Sequence, residues 1–241
     1  MNIRILWYNV KGYGGYMKYH SIAIDGPAAS GKSTVAKELA KKLKYIYIDT
    51  GAMYRATTYK AISIGIDLNN PYAYSFIDTT EFVFKFGELF MDGVNMTVLN
   101  RRKEVADNVS LVASHIPVRN KLVILQQNIT KQHNVVMDGR DIGTVVLKDA
   151  DVKIFMIASV EVRAERRFIE LQRYGYNQSL SDLIEDIKRR DDFDSSRDYN
   201  PLKQAKDAIL IDTSENSIDE VTDMIYNKFM SKLKGESNNG N

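Results

Sequence analysis

The stretch that most constrains this chain is 26–34, "GPAASGKST", which follows the short apolar run 21–25, "SIAID". Gly26-x-x-x-x-Gly31-Lys32-Ser33 matches the phosphate-loop pattern. Backbone N–H groups can wrap a polyphosphate only if the chain curls tightly. Gly26 and Gly31 permit that curl, with Pro27, Ala28, Ala29 and Ser30 between them. After it Val35, Leu39 and Leu43 recur at helical spacing, so a helix starting near Lys32 aims its first amides at the same anion. Lys32 can reach the outer phosphates, the Ser33 hydroxyl can ligate Mg²⁺, and Thr34 completes the set. The motif predicts nucleotide binding. By itself it does not separate a kinase from an ATPase or a GTPase.

The rest of the chain reads as strands alternating with helices. Further buried-strand candidates are 45–49, 134–138, 152–158 and 208–212. Helices are expected at 52–65, from Pro117 to about Lys131, at 160–173 and at 179–193. A last helix opens on a capping box, Ser217 with Glu220, and sets Val221, Met224, Ile225 and Phe229 on one face. Residues 82–100 change period, with turn signals at Gly87 and Asp92-Gly93, and read as a small antiparallel meander. This pattern implies an α/β fold with a parallel sheet covered by helices on both faces. The meander breaks the alternation as an insert.

Composition narrows the function. Its 241 residues allow one large domain, or one domain with inserted subdomains, and a net charge of +2 argues against a bulk nucleic-acid binder but leaves room for a local basic cleft. It has no cysteine, so thiol catalysis and thiolate metal sites are excluded. No apolar run approaches the roughly 20 residues that cross a bilayer. The opening "MNIRILWYNVKGYGGYMKYH" lacks a signal-peptide cleavage site. A cytoplasmic protein is expected, with residues 1–16 a disordered leader and 235–241 a disordered tail.

No guanine-reading Asn-Lys-x-Asp stretch is present. "VVMDGRD" can place Asp138 at a strand end as an acid of the Mg²⁺ shell, or Asp138 can merely cap a turn with Gly139. A kinase must bring two anions together, so guanidinium groups should converge on the gap. Candidates are Arg55, Arg140, Arg190 and Arg197. Arg163, Arg166, Arg167 and Arg173 share an arc of ~120° on one predicted helix. For Arg163 and Arg173 a solvated helix face is the favoured reading.

The stretches "IDGPAASGKST", "YIYIDTGAMYR", "NVS…A…PVR", "MDGRDIGTVVLKDAD" and "IKRRDDFDSSRDYNPLKQAKDAILIDT" occur in this order. Together they resemble the bacterial cytidylate kinases, a family of nucleoside monophosphate kinases of the P-loop type, over residues 18–230. The resemblance implies a P-loop NTPase-type five-stranded parallel sheet in the order 2-3-1-4-5. It implies one kinase domain at 17–234, with an acceptor-binding insert at 76–120 and a helical lid at 160–200. It implies transfer of a phosphoryl group from ATP, with Mg²⁺, to CMP and dCMP, in pyrimidine nucleotide metabolism.

It also assigns residues. Lys32, Arg140, Arg190 and Arg197 would be catalytic. Thr50, Arg55, Ser110, Arg119, Arg140, Asp141, Arg190, Asp194 and Arg197 would bind CMP, with Ser110, Arg119 and Asp141 reading cytosine. A carboxylate accepts from the cytosine amino group, whereas uracil would set a carbonyl oxygen against it. The family's lid often carries more basic residues where this chain has Phe193 and Ser195. Small-molecule substrates and a monomer are expected, with no nucleic-acid or membrane partner. Rival readings are a kinase for UMP, AMP or shikimate on the same scaffold, and a regulator that uses ATP only as a switch.

Overall fold

The computed structural model describes residues 3–5, 19–85, 87–173 and 175–238. In chain order the elements are β1 (Ile3–Ile5), β2 (Ser21–Asp25), α1 (Lys32–Leu43), β3 (Ile46–Asp49), α2 (Thr50–Ser63), β4 (Phe82–Lys85), β5 (Glu88–Met91) and β6 (Val94–Asn95). They continue with α3 (Lys103–Ser114), α4 (Ile116–Thr130), β7 (Val135–Gly139), β8 (Val152–Ile157), α5 (Val160–Arg173), α6 (Leu180–Ser195), β9 (Ile209–Asp212) and α7 (Ile218–Asn238). The chain divides into two compact units: Met1–His20 with Ile48–Val135, and Ser21–Tyr47 with Val136–Asn241.

The five-stranded sheet runs β3-β7-β2-β8-β9, which is the expected order 2-3-1-4-5. β2 pairs β8 in parallel with Ile24 opposite Ile154, and β8 pairs β9 with Phe155 opposite Leu210. Its strands are short and dominated by Ile and Val, as central parallel strands buried on both faces require. Against it pack α1, through Val35, Ala36 and Leu39, and α7, through Val221, Ile225 and Phe229. Phe229 closes this core edge-on to Tyr45, with centroids 5.8 Å apart. The Ser217–Glu220 capping box forms in both directions. Met224, expected on the buried face of α7, is instead 48% exposed. It lies next to Ile225 in the chain, and the stripe through 221, 225 and 229 leaves it at the margin.

The other unit holds the meander and a helical group. β4 and β5 pair antiparallel, Phe84 opposite Leu89, and β6 follows. α2 is buried nearly all round, which removes the one-sided apolar stripe that normally betrays a helix. Its Thr57 and Thr58 hydroxyls donate to the Met53 and Tyr54 carbonyls, so their burial leaves no open donor. α3, not anticipated, packs on α2 through Val105, Val109 and Val112. Because α2, α3 and α4 share one core with the meander, this unit is wider than the 76–120 insert marked in the sequence.

Both ends differ from expectation. Ile3–Ile5, expected in a disordered leader, pair in parallel with Phe82–Phe84, since an unpaired strand edge recruits a β-branched segment. The remainder of the 1–16 segment lies outside the described residues. α7 continues through 235–238, expected as tail, because a helix already capped and docked propagates at low cost. Residues 239–241 lie outside the described residues.

Candidate active site

The phosphate loop owes its shape to its glycines. A Cβ at Gly26 would lie 2.2 Å from the Met156 carbonyl oxygen, so only glycine lets β2 run this close to β8 at the loop entrance. Gly31 (φ 86°) and Ala29 (φ 59°) both take left-handed conformations and complete the curl. Gly31 caps α1 without any side-chain hydrogen bond, and no acidic residue stands in the first turn. The first amides of α1 are thus left to an anion. Lys32 is buried and its Nζ donates to the Pro27 carbonyl at 3.0 Å, across the loop.

Asp138, near the end of β7, is buried and accepts from the Ser33 hydroxyl at 2.7 Å and from the Tyr47 hydroxyl at 2.9 Å. The expectation of a bare turn cap is thereby replaced. Two hard oxygen donors meet beside the first turn of α1, a donor set that suits Mg²⁺. Among the described residues no group of three or more His, Cys, Asp or Glu side chains could hold a metal.

Two residues beyond Asp138, Arg140 Nε donates to Asp194 Oδ2 at 2.9 Å. Arg197 donates to the other oxygen of the same carboxylate. Burial pushes the Asp194 carboxyl up, but Arg140, Arg197 and Arg190 around it outweigh that and hold it below its usual range. Four of the anticipated residues therefore form one cluster. Asp194 sets the spacing of guanidinium groups that would otherwise repel.

Asp141 is buried at the head of a single π-type turn, 142–146. That turn is fastened by Asp25, which accepts from the Ile142 and Gly143 amides at 2.7 Å each. Burial drives the Asp25 carboxyl up to about 7, against the pull of those two amides.

In the other unit Asp49 caps α2, accepting from the Ala52 amide at 2.8 Å and from Arg55 at 2.8 Å. A Cβ at Gly51 would stand 3.0 Å from Arg55, so "DTG" leaves room for that arginine to fold back. Thr50 is buried in the first turn. Arg119 is buried on α4, donates to the Ala113 carbonyl at 2.9 Å and lies 5.5 Å over the Tyr54 ring. Ser110 stands half-buried on α3.

The cytidylate kinase family model matches residues 22–231. The chain belongs to the cytidylate kinase family. Curated cytidylate kinases of Bacillus thuringiensis (strain Al Hakam) and Bacillus cereus (strain AH187) are each 50% identical to it over 210 residues, covering 85% of this chain and 93% of theirs. A gluconokinase from Sinorhizobium meliloti 1021 shares the fold at 14% identity and a TM-score of 0.50, over 93% of this chain and 99% of its own.

Within this family member, one arginine reading is corrected. Arg163 is buried (4% exposed), not solvated, and pairs with Asp191 at 2.5 Å. It also donates to the Ala158 and Ala28 carbonyls. A buried guanidinium needs such a full set of acceptors. Arg166 donates to the Thr213 hydroxyl at 3.1 Å and to its carbonyl at 2.5 Å. The Thr213 hydroxyl reaches the Ser30 carbonyl at 3.0 Å, so α5 and the end of β9 brace the loop. Asp25, Tyr47, Asp49, Asp191 and Thr213 were not singled out by sequence. For Asp25 and Asp49 the polar residue closing an apolar strand, as in "SIAID" and "IYID", was the available signal.

Proposed function

We propose that this chain transfers the γ-phosphoryl group of ATP to CMP and dCMP, giving ADP and the diphosphate. The observation that carries this reading is the curled loop at 26–34 together with a cluster of arginines held at Asp194, one of which, Arg140, lies two residues beyond the Asp138 that meets Ser33. Loop amides and Lys32 hold the donor phosphates. Ser33 and Asp138 are the residues that would hold Mg²⁺, which supplies charge neutralisation at the donor phosphates. Arg140, Arg190 and Arg197 offset the repulsion between the two anions and follow the charge as it spreads. The acceptor oxygen is already ionised, so no general base is needed.

Thr50 and Arg55 take the acceptor phosphate or its nucleoside, and Ser110, Arg119 and Asp141 read cytosine. The 48–135 unit is the acceptor-binding part, and α5 with α6 is the lid that excludes water during transfer. The protein works in the cytoplasm as a monomer, without a nucleic-acid partner. The net charge of +2 supports the last point, and no helix of the described residues is long and apolar enough to cross a membrane.

ADP release measured with magnesium, ATP and a panel of CMP, dCMP, UMP, AMP and shikimate tests the assignment. CMP is expected to give the highest kcat/KM, with Lys32→Met inactive though folded. Consumption of ATP with another acceptor and not with CMP would overturn it. No consumption with any acceptor would favour the regulator.

A further inference from the structure

Asp191 lies on α6, next to Arg190 and three residues before Asp194, and its contacts point elsewhere. One carboxylate oxygen accepts the Ala28 backbone N–H at 3.3 Å, and the other accepts Arg163 at 2.5 Å. The same guanidinium nitrogen of Arg163 donates to the Ala28 carbonyl at 3.1 Å. Ala28, Arg163 and Asp191 thus close a ring on one residue of the phosphate loop, through both its backbone N–H and its carbonyl. Both charged side chains are largely buried, at 5% and 19% exposed. The interior that α5 and α6 share, Ala164 with Leu183 and Ile187, takes in Ala29 of the loop as well.

A backbone N–H and a buried guanidinium are the donors that an outer phosphate oxygen uses. A carboxylate that takes both is a resident anion in a loop shaped for anions. One N–H cannot serve two acceptors well, and two anions beside each other in a site of low dielectric repel. We propose that Asp191 is a positioning residue that competes with the donor triphosphate for Ala28 and Arg163. Arrival of the phosphates displaces its carboxylate, frees Arg163 to turn to them, and lets α6 shift with Arg190, Asp194 and Arg197 aboard. Donor binding and the setting of the acceptor-side arginines are then one event. The alternative is a permanent brace, in which Asp191 only steadies Arg163 under the loop. The two differ in sign. A competitor weakens donor binding, whereas a brace strengthens it.

This inference rests on the reading of the loop as an ATP site. The experiment is calorimetric titration of the full chain with MgATP, and separately with magnesium tripolyphosphate, without CMP. Wild type is compared with Asp191→Asn and with the smaller neutral variant Asp191→Ser, both checked for folding by thermal unfolding. Both variants are expected to bind each probe about tenfold more tightly than wild type, because the removed charge faces the phosphates and not the base. Equal or weaker binding by the folded variants overturns the proposal and makes Asp191 a brace. Wild type that binds neither probe overturns the donor reading itself, and this inference with it.

Discussion

The Ser33 hydroxyl donates to Asp138 across 2.7 Å, tying the first turn of α1 to the far end of β7. The two residues stand 105 positions apart, yet they present their oxygens to one point beside the phosphate loop. Asp138→Ala removes half of that pair. We expect turnover to fall by about 10²–10³ and the magnesium concentration for half-maximal rate to rise. Tyr47→Phe, which removes only the second donor to Asp138, should lose less than about tenfold. Initial rates against magnesium concentration check both. An unchanged magnesium dependence in Asp138→Ala would contradict the assignment.

Gly26→Ala places a methyl group 2.2 Å from a backbone oxygen of β8, which cannot rotate away. The loop or the sheet must shift. We expect a loss of about 3 kcal/mol in unfolding free energy and severely weakened ATP binding. Gly65→Ala is the control, at another positive φ but with open space around it. It should cost only about 1 kcal/mol and leave ATP binding unchanged.

Asp194→Ala leaves Arg140 and Arg197 facing each other without their shared carboxylate. Removing one partner of a buried ion pair costs about 3 kcal/mol. Asp194 is also held below its usual range, so its contribution is present above the unfolded pKa and is lost as pH falls through the lower folded value. Wild type should therefore lose its advantage over the variant below about pH 4. Denaturant curves at pH 3, 4 and 7 measure this, and parallel stability at all three would refute it.

Asp25 has the opposite sign. Its carboxyl is raised to about 7 in the fold, so between about pH 4 and 7 the folded chain binds a proton more tightly than the unfolded one. Stability from this group is full at the acid end and is lost as pH rises through 7. Asp25→Asn cannot titrate, so the stability of wild type relative to the variant should decline across that window and level off above it. Chemical denaturation at pH 4.5, 6 and 7.5 reads the slope. Two parallel curves would count against it.

Local pattern went a long way here. The strand at 21–25, the helix at 32–43 and the meander between residues 82 and 95 lie where apolar period and turn residues mark them. α3 was missed although Val105, Val109 and Val112 carry a helical period, because "KEVADNVSLVAS" has no side-chain cap and directly follows the stretch assigned to the meander. The arginines on α5 show the limit more sharply. Residues 163, 166 and 167 look alike on a helical wheel, yet Arg163 is buried under the loop, Arg166 braces Thr213 and Arg167 pairs with Glu170.

By itself the sequence determined the alternation of strand and helix, the curl of the phosphate loop and the chemical kinds of group around it. These depend on neighbours within a few residues, through backbone freedom, side-chain period and hydrogen bonds that reach one helical turn. Only the tertiary structure decided which carboxylate meets which cation. Asp194 took Arg140, Asp191 took Arg163 and the Ala28 amide, and Asp25 was sealed beneath the 142–146 turn. Burial and long-range pairing set those partners. The same aspartate side chain is held ionised in one place and pushed toward neutrality in another by what the fold packs around it.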